Sequence, residues 1–97
     1  MRALMLQEAS GPSGLALVET DEPKAPEGFV AIDVHATGVG FVDMLISKGE
    51  YQIKPPLPFI PGNEVAGTIR SAPEGSGFAV GDRVCATTPF GGWAEVA

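Results

Sequence analysis

Cysteine is nearly missing from this chain of 97 residues: Cys85 stands alone. A single thiol closes no disulfide within the chain, which fits a reducing compartment. Histidine is as scarce, with only His35. Basic residues number 6 against 12 acids, a formal net charge of −6. They are scattered as Arg2, Lys24, Lys48, Lys54, Arg70 and Arg83, so there is no basic patch. An acidic surface repels phosphate backbones, which sets nucleic acid aside as a partner. Long apolar runs are absent too. Nothing approaches the length that spans a bilayer, and Met1-Arg2 is followed by only a few apolar residues before Gln7 and Glu8, unlike a secretory leader. The expectation is a soluble, cytoplasmic protein of one small domain with modest stability.

Glycine and proline are plentiful, at 13 and 9 residues. They punctuate the chain about every eight to twelve residues, a spacing that favours short strands joined by turns. Arg2 to Gln7 reads as a first strand, Ala9 to Gly14 as a turn, and Leu15 to Glu19 as a moderate strand. The strongest strand signal is Phe29 to Thr37, where Val30, Ile32, Val34 and Ala36 share one face. Phe41 to Lys48 changes period: Val42, Leu45 and Ile46 have helical spacing, and Lys48-Gly49 is a helix stop. Pro55, Pro56, Pro58 and Pro61 make Tyr51 to Pro61 a stiff loop without regular structure. Val65 to Ile69 is a short strand with Gly67 at a bulge. Arg83 to Ala86 is another, and Gly91 to Val96 looks like the start of one more.

Five landmarks carry a resemblance: Ala36-Thr37-Gly38-Val39-Gly40-Phe41-Val42-Asp43, Lys48-Gly49-Glu50-Tyr51, Leu57-Pro58-Phe59-Ile60-Pro61-Gly62-Asn63-Glu64, Val80-Gly81-Asp82-Arg83-Val84 and Gly91-Gly92-Trp93-Ala94-Glu95. Each alone is weak; in this order and spacing they are specific. The chain resembles the N-terminal part of the medium-chain dehydrogenase/reductase superfamily, and within it the zinc-free quinone oxidoreductase branch that includes the zeta-crystallin-like enzymes. The resemblance implies a mainly β fold with short helices, a GroES-like, partly open antiparallel β-barrel. It also implies that residues 1–97 are an N-terminal catalytic-domain fragment, cut before the Rossmann domain that binds NADPH. No glycine-rich dinucleotide fingerprint occurs in these residues, so the chain alone is expected to be inactive.

The zinc-dependent members of the superfamily have cysteine where this chain has Gly40 and histidine where it has Asn63. A catalytic zinc needs nitrogen, sulfur or carboxylate ligands, and glycine offers no side chain at all. The family's second zinc lobe needs clustered cysteines, and Cys85 is alone. No metal is expected. His35 is expected on a solvent-facing side of its strand, and Cys85 as a small buried hydrophobe. Without a Lewis acid an alcohol is hard to deprotonate at neutral pH. Hydride delivery to a quinone or an activated double bond needs orientation and a proton source more than a metal. The expected partner is therefore a small-molecule quinone or enone.

The resemblance places Tyr51 in the substrate cleft, where its ring can stack on a flat acceptor and its hydroxyl can bond a carbonyl oxygen. The rival role is a tyrosine that packs one edge on the loop with its hydroxyl in water. Gly40, Phe41, Val42 and Asp43 are expected to border the nicotinamide, with Asp43 also serving the first turn of its helix. Glu64 is expected to hold its loop by hydrogen bonds, and Asp82 to be a turn residue only. Gly40 departs from the asparagine common in this branch, and Leu45 from a second tyrosine, which leaves the acceptor open. A 2-enoyl thioester or alkenal reductase on the same scaffold, or a non-catalytic GroES-like binding or assembly module, are the other expectations. The full-length protein is expected to be a homo-oligomer, and the cut sheet edges should make this segment self-associate.

Overall fold

The computed structural model describes all residues 1–97. Its elements run β1 (Arg2–Leu6), a 3-10 turn (Gly11–Gly14), β2 (Leu15–Glu19), β3 (Ala31–Thr37), α1 (Phe41–Ser47), β4 (Glu64–Ser71) and β5 (Arg83–Thr87). β1 and β2 form one antiparallel hairpin, with Leu6 opposite Leu15 and Arg2 opposite Glu19. β3, β4 and β5 form a second antiparallel sheet in that spatial order. The barrel is open, as neither sheet closes on the other.

Each sheet buries its own small cluster. Leu6 of β1, Ile46 of α1 and Phe59 of the proline loop meet under the hairpin, with Leu15, Val42 and Tyr51 packed against them. Ile32, Val65 and Ile69 form the other cluster, flanked by Val34, Val84 and Ala86. The alternation in β3, β4 and β5 decides which side faces inward. Only 18 of 97 residues are buried, so this core is thin for its length and leaves many large apolar side chains on the surface.

The predicted strand at Gly91 to Val96 does not form. Residues 93 to 97 instead stitch the two sheets together. Leu4 N–H bonds Trp93 O at 2.9 Å, Glu95 N–H bonds Arg2 O at 3.2 Å, and Val34 N–H bonds Glu95 O at 2.8 Å. Isolated bridges at Ala3–Ala94 and Asp33–Val96 complete the crossing. One short segment divides its backbone groups between β1 and β3, so neither side builds a ladder.

Other boundaries move by a residue or two. Phe29 and Val30 lie before β3, and β4 runs longer than predicted, to Ser71. The Ala9–Gly14 turn contains one 3-10 turn with Pro12 near its start. Gly67 stands opposite an irregularity of β3 between Val34 and Ala36. A Cβ on Gly67 would lie 1.9 Å from the Asp33 carbonyl oxygen. The bulge thus belongs to the partner strand, and the glycine is what lets that strand approach.

Candidate functional site

The Gly38–Asp43 segment leaves β3 at one rim of the open barrel and enters α1. Flexible glycines at 38 and 40 cost order, yet hydrogen bonds fix this stretch at both ends. Gly38 N–H donates to the Glu64 carbonyl at 3.0 Å, and Met44 N–H donates to Gly40 O at 3.3 Å. The Gly40 amide donates to Asp43 Oδ2 at 2.8 Å. Thr37 Oγ1 also donates to the Glu64 carbonyl, at 2.9 Å. Glu64 does tie this rim, but through its backbone; its side chain is exposed. Ser47 Oγ donates back to Met44 O at 2.7 Å and closes the last turn of α1.

Asp43 is 1 % exposed. Its carboxylate sits in the first turn of α1, where free amides and the helix dipole favour negative charge. One oxygen caps Gly40; the other, Oδ1, is enclosed without a hydrogen-bond partner. The structural role expected of Asp43 therefore holds at Oδ2 and does not account for Oδ1.

Trp93, which sequence reasoning named only within a motif, joins three of the landmarks. Its indole Nε1–H donates to Gly38 O at 2.9 Å. Its backbone N–H bonds Pro61 O, and its carbonyl accepts from Leu4, each at 2.9 Å. Gly62, at φ +100°, lies so close that a Cβ there would come 2.5 Å from Trp93 Cδ1. The available signal was a sole tryptophan after two glycines, since a buried indole N–H requires an acceptor.

A cavity of about 530 Å³ opens beside this rim, lined by Leu4, Leu15, Val39, Met44 and Trp93 together with Asp43. Tyr51 does not line it. The Tyr51 ring packs instead on the Leu6–Ile46–Phe59 cluster, alongside Val42 on another face of α1. Gly40 and Phe41 form the exposed lip of the same helix entry, Phe41 at 69 % exposure, while Val42 is half-buried against the Leu6–Ile46–Phe59 cluster.

A Cβ built on Gly40 would meet nothing nearer than Asp43 Oδ2 at 3.7 Å. The missing side chain therefore leaves open room beside the backbone at Gly40. No group of three His, Cys, Asp or Glu side chains is placed to hold an ion. His35 is exposed at the β3 irregularity, as expected. Cys85 is exposed as well, contrary to the expected burial. Val84 and Ala86 take the inner face of β5, and alternation puts the thiol outside with Arg83 and Thr87. Asp82 acts as the turn residue it resembles, its Oδ2 accepting the Ala79 amide at 2.9 Å.

Comparison with known proteins agrees with this architecture. The alcohol dehydrogenase GroES-like domain matches residues 26–96. The quinone oxidoreductase of Rattus norvegicus is 46 % identical over the whole of this chain, which spans 30 % of that protein. A probable oxidoreductase from Mycobacterium abscessus superposes at a TM-score of 0.96 with 50 % identity, over all of this chain and 31 % of that one. The quinone oxidoreductase of Thermus thermophilus, solved also as its complex with NADPH, superposes at 0.81 with 39 % identity, over all of this chain and 29 % of that one. The chain spans about 30 % of the length of the curated relatives it matches. By fold, motif order and sequence it belongs to the alcohol dehydrogenase GroES-like domain family, the N-terminal unit of the medium-chain dehydrogenase/reductases.

Proposed function

We propose that these residues are the substrate-side part of a cytoplasmic, NADPH-dependent quinone oxidoreductase that works without zinc. One observation carries the zinc-free part of this reading. The Gly38–Asp43 and Pro61–Glu64 segments are bonded to each other and to Trp93, and the positions facing a metal in zinc relatives hold Gly40 and Asn63. Neither supplies a thiolate or imidazole ligand.

NADPH, held mainly by the remainder of the full-length protein, supplies the hydride. The residues present here shape the receiving side. Gly40 to Val42 give an unobstructed backbone edge beside the nicotinamide. Asp43 fixes that edge by holding the Gly40 amide. Tyr51, at the mouth of the proline loop, packs part of its ring on Leu6, Ile46 and Phe59 and offers its hydroxyl and the uncovered part of the ring to a quinone or enone. Orientation of this kind accounts for much of the rate of a bimolecular transfer.

Steady-state assays of the full-length protein with NADPH and a panel of quinones, alkenals and enoyl thioesters test the reading. Quinones should give the highest kcat/KM. A clear preference for an enoyl thioester or alkenal would move the assignment to those reductases. No turnover with any acceptor would point to a binding or assembly module.

A further inference from the structure

Gly38-Val39-Gly40 is an awkward lead-in to a cofactor-facing edge at Gly40 to Val42, since glycine loses the most conformational freedom on ordering. Two side chains outside it offset that cost. Asp43 Oδ2 takes the Gly40 amide from inside α1. Trp93, 55 residues on, takes the Gly38 carbonyl with its indole N–H at 2.9 Å. Trp93 is itself held with little freedom. It is 8 % exposed, its backbone is bonded on both sides to Pro61 and Leu4, and Gly62 leaves no room behind the ring.

We infer that Trp93 is a positioning residue for the reaction: its indole N–H, acting through the Gly38 carbonyl, sets the backbone edge that borders the nicotinamide. This rests on the reading of the Gly40–Val42 edge given under Proposed function. Trp93 touches no reacting atom. Its effect is on how often the Gly40–Val42 edge, held at its start through Gly38, is in the geometry for transfer. A ring of equal size without the N–H would fill the same space between Leu4 and Gly62 but release Gly38.

The test uses the full-length protein with Trp93→Phe and, where that variant folds poorly, with benzothienyl-alanine placed at position 93, an isostere that lacks only the N–H. The single-turnover rate of hydride transfer should fall about tenfold, the scale of one well-placed hydrogen bond in a positioned transfer. The deuterium isotope effect on the observed rate should rise, while the KM for NADPH changes less than about twofold. Independently of turnover, exchange of the two bonded amides of this edge, Gly38 N–H on Glu64 O and Gly40 N–H on Asp43 Oδ2, should quicken about tenfold in the cofactor-free protein, while that of β4 stays unchanged. Unaltered hydride transfer and unaltered exchange at Gly38 and Gly40 would overturn the inference. So would a rate loss that tracks only the folded fraction. If the wild-type protein turns over no acceptor, the reading of the edge fails first, and the exchange measurement still decides whether Trp93 holds it.

Discussion

Asp43 is the side chain on which the local account is most exposed to test. It does one structural task at Oδ2 and leaves Oδ1 enclosed and unpaired. A buried carboxylate with an unmade hydrogen bond is costly, so its two oxygens pull stability in opposite directions. Asp43→Ala removes the Gly40 cap and should lower unfolding free energy by about 1–2 kcal/mol in urea. Asp43→Asn keeps an acceptor for Gly40 and removes the charge, and should cost less than half of that. Equal losses for the two variants would mean that the charge, not the cap, is what the rim needs. Glu95 is the clearest electrostatic residue. Its carboxyl is held below its ordinary value of 4.5, first by the Arg2 backbone amide, which outweighs the opposing effect of burial, and further by the Arg2 charge. A carboxyl depressed in the folded state adds stability that is complete above 4.5 and drains away as pH falls through the folded value. Glu95→Gln should therefore flatten the acid limb of the stability profile while leaving its slope above neutrality alone. Thermal melts across that range read this directly, and an unchanged acid limb would count against the Arg2–Glu95 contact.

Among the elements, β3 and α1 were legible because each keeps one period long enough to show it. Val30, Ile32 and Val34 alternate onto one cluster, although the irregularity after Val34 leaves Ala36, expected on that face, exposed, and Val42, Leu45 and Ile46 repeat as a helix does. The final segment was not legible, because Trp93 to Ala97 reads as a strand by composition while its partners lie in two different sheets. Composition carries no information about a backbone that bonds left at Glu95 N and right at Glu95 O. The inward face of β5 was misjudged for a similar reason. Cys85 is apolar enough for either side, and Val84 and Ala86 decide the register between them. The candidate site was legible as motifs and not as contacts. Gly40, Asn63 and Asp43 announce themselves by type and spacing, whereas the Trp93 bond to Gly38 needs the fold to bring the two together. Gly67 makes the element-level prediction. With a Cβ 1.9 Å from the Asp33 carbonyl oxygen, Gly67→Ala must push β3 off β4 and should destabilise by about 3 kcal/mol. A loss under about 1 kcal/mol, measured by urea titration, would show that the β3 irregularity yields freely.

The whole molecule is an open, two-sheet fold whose chain spans about 30 % of its relatives' length. No helix in it is long and apolar enough to cross a membrane. Its surface carries Val39 at 81 %, Val80 at 74 %, Leu17 at 68 % and Phe29 at 64 % exposure, and β5 has a free edge. Exposed apolar side chains beside an unpaired strand invite pairing with other copies. Sedimentation of the isolated segment should show association that grows with concentration, and a stable monomer at high concentration would contradict this. Because the chain spans about 30 % of the length of its curated relatives, the proposed function is tested on a full-length protein. The central claim is that the parent enzyme passes reducing equivalents to its acceptor with no bound ion, because Gly40 and Asn63 stand where ligands would be needed. The most direct measurement is zinc content and NADPH–quinone turnover in one preparation of the full-length protein, before and after dialysis against a strong chelator. The account predicts zinc far below one ion per chain and a rate the chelator leaves intact. Stoichiometric zinc whose removal abolishes turnover, and whose return restores it, would contradict it.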